Sequence, residues 1–550
     1  EVDYTSISSH STSEAIELAA IALQSRQPQE AYSYCVKALK INPANTEALN
    51  LAGVAAFQKG DADQAVSLLE TAVSFKPDFS DAFNNLGNVH KGINDLVSAE
   101  ASYRQAILCN SENLDAEFNL GILLEAKGLF MKAERSYLRC IEISPRMVSA
   151  LFNLGNVYKA LGRLNESKAI YSRLLEIDPK HAEALNNLGV VLNEFNSQTE
   201  AIHFYREAIR IKPEFAEAYY NLGIVFQESN EQEEAIKAYK QALRFDPRHV
   251  GAEVNIGYCL KEMGSSKEAK AAYLRAIRIA PNYDKALVNL GDLFLQNGET
   301  TKAIKVCEEF LNDHPGNISV LAFLAIAYAK LGDLDAVKNL YDYKRLLHSI
   351  DCKNQLEQAD LVKFNQNLSN HILGHPSLVT QPASHATRNG RHSGELLVDP
   401  LGPFARLKKM ILAAANDYCS TIPEDMAHPW LYYRPKSFEV SVWGVAMERQ
   451  GHQIGHIHPS AWLSGVYYSK IPNSIHTKDL GHDGWIEFGR PPEDFITDCE
   501  PLIKLIKPKE GLMLLFPSYF YHRTIPFDTD DLRISIAFDI FGKPNAPFSE

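Results

Sequence analysis

The chain has 550 residues, 55 Lys and Arg against 68 Asp and Glu, a formal net charge of −13 and 45% hydrophobic residues. That length exceeds one ordinary hydrophobic core and calls for at least two domains. The acidic balance, with no basic stripe of any length, excludes a nucleic-acid or anionic-membrane partner, and no apolar run is long enough to cross a bilayer as a helix.

Residues 1–349 keep a 34-residue step. Proline stands at Pro43, Pro77, Pro145, Pro179, Pro213, Pro247, Pro281 and Pro315, with Ser111 at the one gap. Two small-residue columns share the step: Gly53, Gly87, Gly121, Gly155, Gly189, Gly223, Gly257 and Gly291, then Ala65, Ala99, Ala133, Ala201, Ala235, Ala269 and Ala303. Each unit reads as two amphipathic helices; the proline ends the second and turns the chain into the next pair, and the small residues let paired helices approach closely. This period is the signature of tetratricopeptide repeats, about ten units of them. Stacked pairs imply an all-α superhelical solenoid with a concave groove lined by the first helix of each pair.

Two residues before each glycine stand Asn85, Asn119, Asn153, Asn187, Asn221, Asn255 and Asn289. An amide offers an acceptor and two donors, so such a row can grip the backbone of an extended protein or peptide segment without regard to its sequence; the alternative is that the amides cap or bridge neighbouring helices. The column resembles the asparagine ladder in the repeats of the O-GlcNAc transferase family, and that resemblance implies a protein substrate along the groove. In the last unit Phe323, Ala325 and Val337 replace the residues of the regular columns, which predicts a packed end docked on the C-terminal part of the chain.

Residues 350–439 read as a linker and covering helix that belong to the C-terminal domain. The stretch 370–400 is rich in Gly, Pro, Ser, Asn and His and predicts irregular chain; His371, His375, His385 and His392 fit no usual ligand spacing. Residues 403–418, PFARLKKMILAAANDY, predict an amphipathic helix covering one face of a sheet.

From 440 to 550 short apolar runs replace helical periodicity: EVSVWGVAM, SAWLSGVYYS, GWIEFG, GLMLLFPSYF and RISIAFDI. Such strands, punctuated by Gly and Pro, predict a mainly-β jelly roll. In GHIHPSAWLSGVYY, His456 and His458 lie one residue apart at the start of a strand-like run, so both imidazoles can converge on one ion, and on a regular strand Tyr468 shares their face while Tyr467 looks outward. His522 follows an aromatic cluster, and the turn-rich TIPFDTDDL can bring it beside Arg533 on an adjacent antiparallel strand. Arg533, Ser535, Ala537 and Asp539 share one face of RISIAFDI. A buried arginine needs an anion; an ion pair within the chain, to Glu487 or Asp539, competes with a bound carboxylate.

Taken in order, the H-x-H pair, SGVYY, His522 and the Arg533-x-Ser535 pair resemble the C-terminal part of Fe(II)/2-oxoglutarate-dependent dioxygenases, in particular those fused to tetratricopeptide repeats, over roughly residues 370–545. The resemblance implies a double-stranded β-helix; Fe(II) held by His456, His458 and His522; 2-oxoglutarate as cosubstrate on Arg533 and Ser535 with help from Tyr468; O2; and hydroxylation with release of succinate. Most relatives place a carboxylate where His458 stands. An all-histidine site, a site completed by Glu487 from GWIEFG, and a degenerate site therefore remain three separate expectations, and zinc also suits three imidazoles. His452 and His482 read as surface residues. The leading reading is a dioxygenase acting on a protein held by the repeats; the alternatives are an oxygenase acting on a small molecule, a non-catalytic repeat adaptor, and a cupin-type metal protein, whose usual glutamate after H-x-H is missing. The eight cysteines lack C-x-x-C spacing and read as buried free thiols, which points to a reducing, cytoplasmic setting; a chain that begins at Glu1 leaves an upstream targeting segment open.

Overall fold

The computed structural model of the chain describes residues 4–354, 357–380, 386–398, 401–432, 434–477, 481–493, 495 and 499–542. Two compact units are present, residues 1–160 with 169–178 and residues 161–168 with 179–550.

An all-helical solenoid of about 20 helices comes first. Its rhythm is constant: a 13-residue helix such as Thr46–Gln58 or Ser80–Gly92 alternates with a 14-residue one such as Ala62–Phe75 or Leu96–Cys109. The prolines of the 34-residue step stand in the turns that lead into the next pair. Helix starts are capped locally, with Asn45, Asp61, Asp95 and Asn113 each accepting the backbone N–H three residues on, worth about 1 kcal/mol apiece.

The glycine column has a cause that its own spacing does not reveal. A Cβ at Gly87, Gly121, Gly155, Gly189, Gly223 or Gly257 would come within 2.5–2.7 Å of the ring of Tyr103, Tyr137, Tyr171, Tyr205, Tyr239 or Tyr273. These tyrosines are fully buried and form a 34-residue column of their own on the second helix of each pair. Only a residue without a side chain lets the ring lie against the neighbouring helix backbone.

In the second unit the last repeats and the β-rich domain share one apolar core. The helix Ile318–Leu331 is buried over most of its length, Phe323 meets Phe495 at 5.9 Å between ring centres, and Tyr341 meets Phe520 at 4.9 Å. Tyr519 donates its hydroxyl proton to the Leu340 carbonyl, and Tyr343 to that of Leu502. The enlarged residues of the last unit thus form the packed end.

The C-terminal domain is antiparallel. Its strands are β1 (His348–Asp351), β2 (Val379–Thr380), β3 (Thr387–His392), β4 (Phe438–His456), β5 (Leu463–Lys470), β6 (Ile486–Phe488), β7 (Lys504–Ile506), β8 (Leu512–Pro517), β9 (His522–Thr524) and β10 (Arg533–Gly542). The pairing order is β1-β8-β5-β10-β4-β9-β6-β7, with β3 also on β4 and β2 on β3. The 19-residue β4 makes the jelly roll possible by changing partners: residues 438–447 pair with β10, and Gln453 and His456 pair with β9. Between these stretches Arg449 and Gln450 have positive φ, a kink that re-aims the strand towards its second partner. The helix Phe404–Thr421 packs Leu407, Ile411, Ala415 and Tyr418 inward as its periodicity predicts.

Three local expectations are corrected. Residues 370–400 are not all irregular: β3 forms there and pairs with β4, its polar side chains hiding the usual alternation. His385 lies outside the described residues. The His456-to-Tyr468 run is not one strand, because β4 ends at His456 and β5 begins at Leu463; Pro459 cannot donate to a ladder, and the His458 N–H turns to the Ser518 carbonyl instead. Nor do His522 and Arg533 sit on neighbouring strands, since β4 runs between β9 and β10.

Candidate metal centre

His456 ends β4, His458 lies in the turn just after it, and His522 opens β9 directly opposite His456. One ring nitrogen from each lies within 4.8 Å of the others, and the ring centres are 4.3–5.1 Å apart. Each Nδ1 faces an acceptor that has no proton to give: His456 the Ile454 carbonyl at 2.8 Å, His522 the Phe520 carbonyl at 3.0 Å, and His458 the Asp539 carboxylate at 2.7 Å. Nδ1 must therefore carry the proton, which leaves three Nε2 lone pairs as the donor set. Imidazole nitrogens of this kind suit Fe, Zn, Cu or Ni rather than Mg or Ca. Burial, followed by the neighbouring imidazole, pushes His456 down to about 3, and His522 falls well below its ordinary value for the same reasons. Both rings are thus neutral, as ligands must be.

Glu487 faces away from this cluster. It pairs with Arg523 across β6 and β9, while Phe488 pairs with His522, so alternation puts the two carboxylate oxygens on the opposite face. There it accepts from Arg490 Nε at 2.6 Å and Arg523 Nε at 2.7 Å.

Arg533 opens β10 opposite Met447, and the neighbouring register sets Ser535 against Tyr468. The arginine is 1% exposed. Its Nη1 donates to Ser535 Oγ at 3.3 Å, and its guanidinium lies 5.1 Å from the centre of the Tyr468 ring. No carboxylate among the described residues pairs with it: Glu487 is held by two other arginines and Asp539 by His458 and Ser464. Arg533 Nε and the Tyr468 hydroxyl are buried, each without a well-formed hydrogen bond, and the two side chains interact with one another. Burial lowers the hold of Arg533 on its proton and lifts the Tyr468 hydroxyl to about 12. A buried cation with no carboxylate beside it, next to a buried tyrosine hydroxyl, fits an anionic ligand with a carboxylate end. Tyr467, on the other face, donates to Asn365 of a covering helix at 2.6 Å.

A cavity of about 380 Å³ opens over the His456 and His458 imidazoles, walled by His392, Glu395, Ser441, Trp443, Gln453 and Asp539. Trp443 stacks at 5.5 Å on His458 and at 6.1 Å on His392. Sequence reading singles out neither Trp443, Glu395 nor the contact of Asp539 with His458; the shared face of Asp539 and Arg533 is the one available signal. His371 packs on Phe404 and His375 bonds Ser377, away from any metal-ligand cluster among the described residues. His482 is exposed, and His452 is half-buried with Nδ1 at the Gln450 carbonyl.

In the repeats, Asn85, Asn119 and Asn221 each donate Nδ2 to an asparagine of the preceding repeat, Asn50, Asn84 and Asn186, at 2.8–3.0 Å. Asn153 and Asn255 donate instead to Tyr137 and Tyr239, and Asn289 to the Lys285 carbonyl. Asn187 accepts from Asn186.

Residues 441–539 match the family described as "Putative 2OG-Fe(II) oxygenase", and residues 22–86, 146–214, 216–249 and 255–318 match tetratricopeptide-repeat families. No curated protein matches the chain. Among solved structures, MamA is 28% identical over 30% of this chain and 97% of its own, with a TM-score of 0.28. YrrB, titled a TPR protein with an unusual peptide-binding site, is 21% identical over 34% of this chain and 95% of its own, with a TM-score of 0.31. PilF of Pseudomonas aeruginosa is 18% identical over 38% of this chain and 95% of its own, with a TM-score of 0.34. Tetratricopeptide repeats therefore precede a domain of the 2OG-Fe(II) oxygenase kind.

Proposed function

We propose that the chain is an Fe(II)- and 2-oxoglutarate-dependent hydroxylase whose substrate is a protein or peptide segment held by the repeats. The observation that carries the first half is the pairing, in one β-domain, of three convergent imidazoles with a buried guanidinium that has no carboxylate of its own. His456, His458 and His522 would hold the metal, their rings oriented by their Nδ1 bonds. Arg533 and Ser535 would bind the far carboxylate of 2-oxoglutarate, and Tyr468 would give its hydroxyl proton to the same anion. Iron with 2-oxoglutarate and O2 supplies an oxidation that yields succinate and CO2 and places one oxygen in a substrate C–H bond. The protein's part is to fix both ligands and to keep bulk water from them; Arg533, Ser535 and Tyr468 are all buried, which serves the second at the cosubstrate end. Glu487, tied to two arginines, is a poor candidate for a ligand, which favours His458 in that place.

The second half rests on the asparagine column. An amide tethered through one N–H to the preceding repeat keeps a fixed orientation and a carbonyl oxygen to offer, as at Asn85, Asn119 and Asn221.

The test is succinate formation from 2-oxoglutarate by protein loaded with Fe(II) under nitrogen and then exposed to O2. The parent should form succinate, and His522→Ala and Arg533→Ala should not. Parent protein that binds neither Fe(II) nor 2-oxoglutarate would turn the reading to a repeat adaptor. Recruitment is checked by capture on the full chain, which should fall when Asn119, Asn221 and Asn255 become alanine while succinate formation without added substrate stays unchanged.

A further inference from the structure

We propose that Asp539 supplies, through His458, the negative charge that a three-histidine centre lacks. The inference rests on the reading of His456, His458 and His522 as a metal centre. Three neutral imidazoles bring no charge to a divalent ion, whereas a ligand set containing a carboxylate brings one. Two of the three give their Nδ1 protons to neutral carbonyls, of Ile454 and Phe520. His458 alone gives its proton to a carboxylate, Asp539 Oδ1 at 2.7 Å.

The arrangement is built rather than incidental. Asp539 is buried, and the same Oδ1 accepts from Ser464 Oγ at 2.7 Å; Ser464 in turn meets Ser518 Oγ at 2.8 Å, and neither serine is exposed at all. The Ser518 carbonyl accepts the backbone N–H of His458 at 3.2 Å, so ring and carboxylate are positioned from one scaffold. No lysine or arginine among the described residues pairs with Asp539. Its charge is balanced by hydrogen bonds alone until a cation sits beyond the imidazole. A carboxylate on Nδ1–H draws proton density away from the ring, fixes the tautomer and strengthens Nε2 as a donor. Asp539 is thus a positioning and charge-donating residue. It lowers the effective charge of the centre and favours retention of the metal, standing in for the carboxylate that the position of His458 omits.

Asp539→Asn tests this directly, since it keeps the shape and an acceptor oxygen and removes only the charge. Co(II) and Fe(II) are titrated anaerobically into the full chain against a chromophoric chelator, with the Co(II) visible bands and the melting curve of the metal-free protein recorded alongside. The charge role predicts a tenfold to hundredfold loss of metal affinity and shifted Co(II) bands in Asp539→Asn, with melting of the metal-free protein unchanged or raised. Ser464→Ala, which loosens the carboxylate without discharging it, should lose less. Asp539→Asn that binds both metals as the parent does, with the same bands, overturns the proposal and leaves the metal centre standing. A parent that binds neither metal, indistinguishable from His522→Ala, overturns both together.

Discussion

Replacing Arg533 with methionine should separate binding from stability in opposite directions. The guanidinium is 1% exposed, has no carboxylate partner among the described residues, and leaves Nε without an acceptor. A buried charge in that state costs several kcal/mol of desolvation that one serine hydroxyl and the Tyr468 side chain offset in part. Methionine matches the stem and drops the charge, so the metal-free protein should melt at the same temperature or higher, gaining up to about 1–4 kcal/mol. The cosubstrate site should collapse. Truncating one partner of a buried charge pair costs about 2–5 kcal/mol. At about 1.4 kcal/mol per decade, that is a loss of roughly thirtyfold to several thousandfold in 2-oxoglutarate affinity. Titration of 2-oxoglutarate under nitrogen, with Mn(II) or Ni(II) in place of iron, reads the affinity. The melting shift on addition of 2-oxoglutarate reads it again, since ligand at a hundred times its Kd adds about 2.7 kcal/mol. Arg533→Met that binds 2-oxoglutarate like the parent, or that destabilises the metal-free chain by about 3 kcal/mol or more, would show the arginine to be a structural pin.

Glu487→Gln should keep metal affinity while lowering stability by about 1–3 kcal/mol, because it weakens the bonds from Arg490 and Arg523; loss of metal in a chelator competition would restore Glu487 as a ligand. His428 is buried with Nδ1 accepting from the backbone of Trp430 and Leu431 and Nε2 facing the Asn339 carbonyl, and burial holds its pKa below 6.5. The unfolded chain therefore takes up a proton that the native ring refuses as pH falls past 6.5, so this contribution to stability is whole above that pH and is lost as pH drops towards the folded value. Denaturation midpoints across that window should fall less steeply in His428→Asn. Gly189→Ala would set a methyl group 2.7 Å from the Tyr205 ring; the overpacking should cost about 1–3 kcal/mol, beyond the roughly 1 kcal/mol that alanine gains in a helix, as a lower denaturant midpoint would show.

Much of the architecture is legible along the chain, for a physical reason. A repeat writes its packing at a fixed interval, so proline, glycine and asparagine columns announce the helix pairs, and the loss of those columns at Phe323, Ala325 and Val337 marks where the array stops and a new core begins. The H-x-H pair, the later histidine and the Arg-x-Ser pair likewise keep their order and spacing in the chain, and with them the chemistry to look for. The tyrosine column behind the glycines has the same periodicity and is equally readable in retrospect.

Sheet register is another matter, because it pairs residues far apart in the chain and has no local imprint. Only the folded domain decided that β4 lies between His522 and Arg533, that a turn at Pro459 parts His458 from Tyr468, and that alternation on β6 sends Glu487 to Arg490 and Arg523. The same register carries Asp539 to His458, across 81 residues, and leaves Arg533 without an acid. The sequence by itself determined which side chains are present for a metal and an anion; tertiary structure decided which carboxylate is free to serve which of them, since in a buried sheet that depends on which face each strand turns inward.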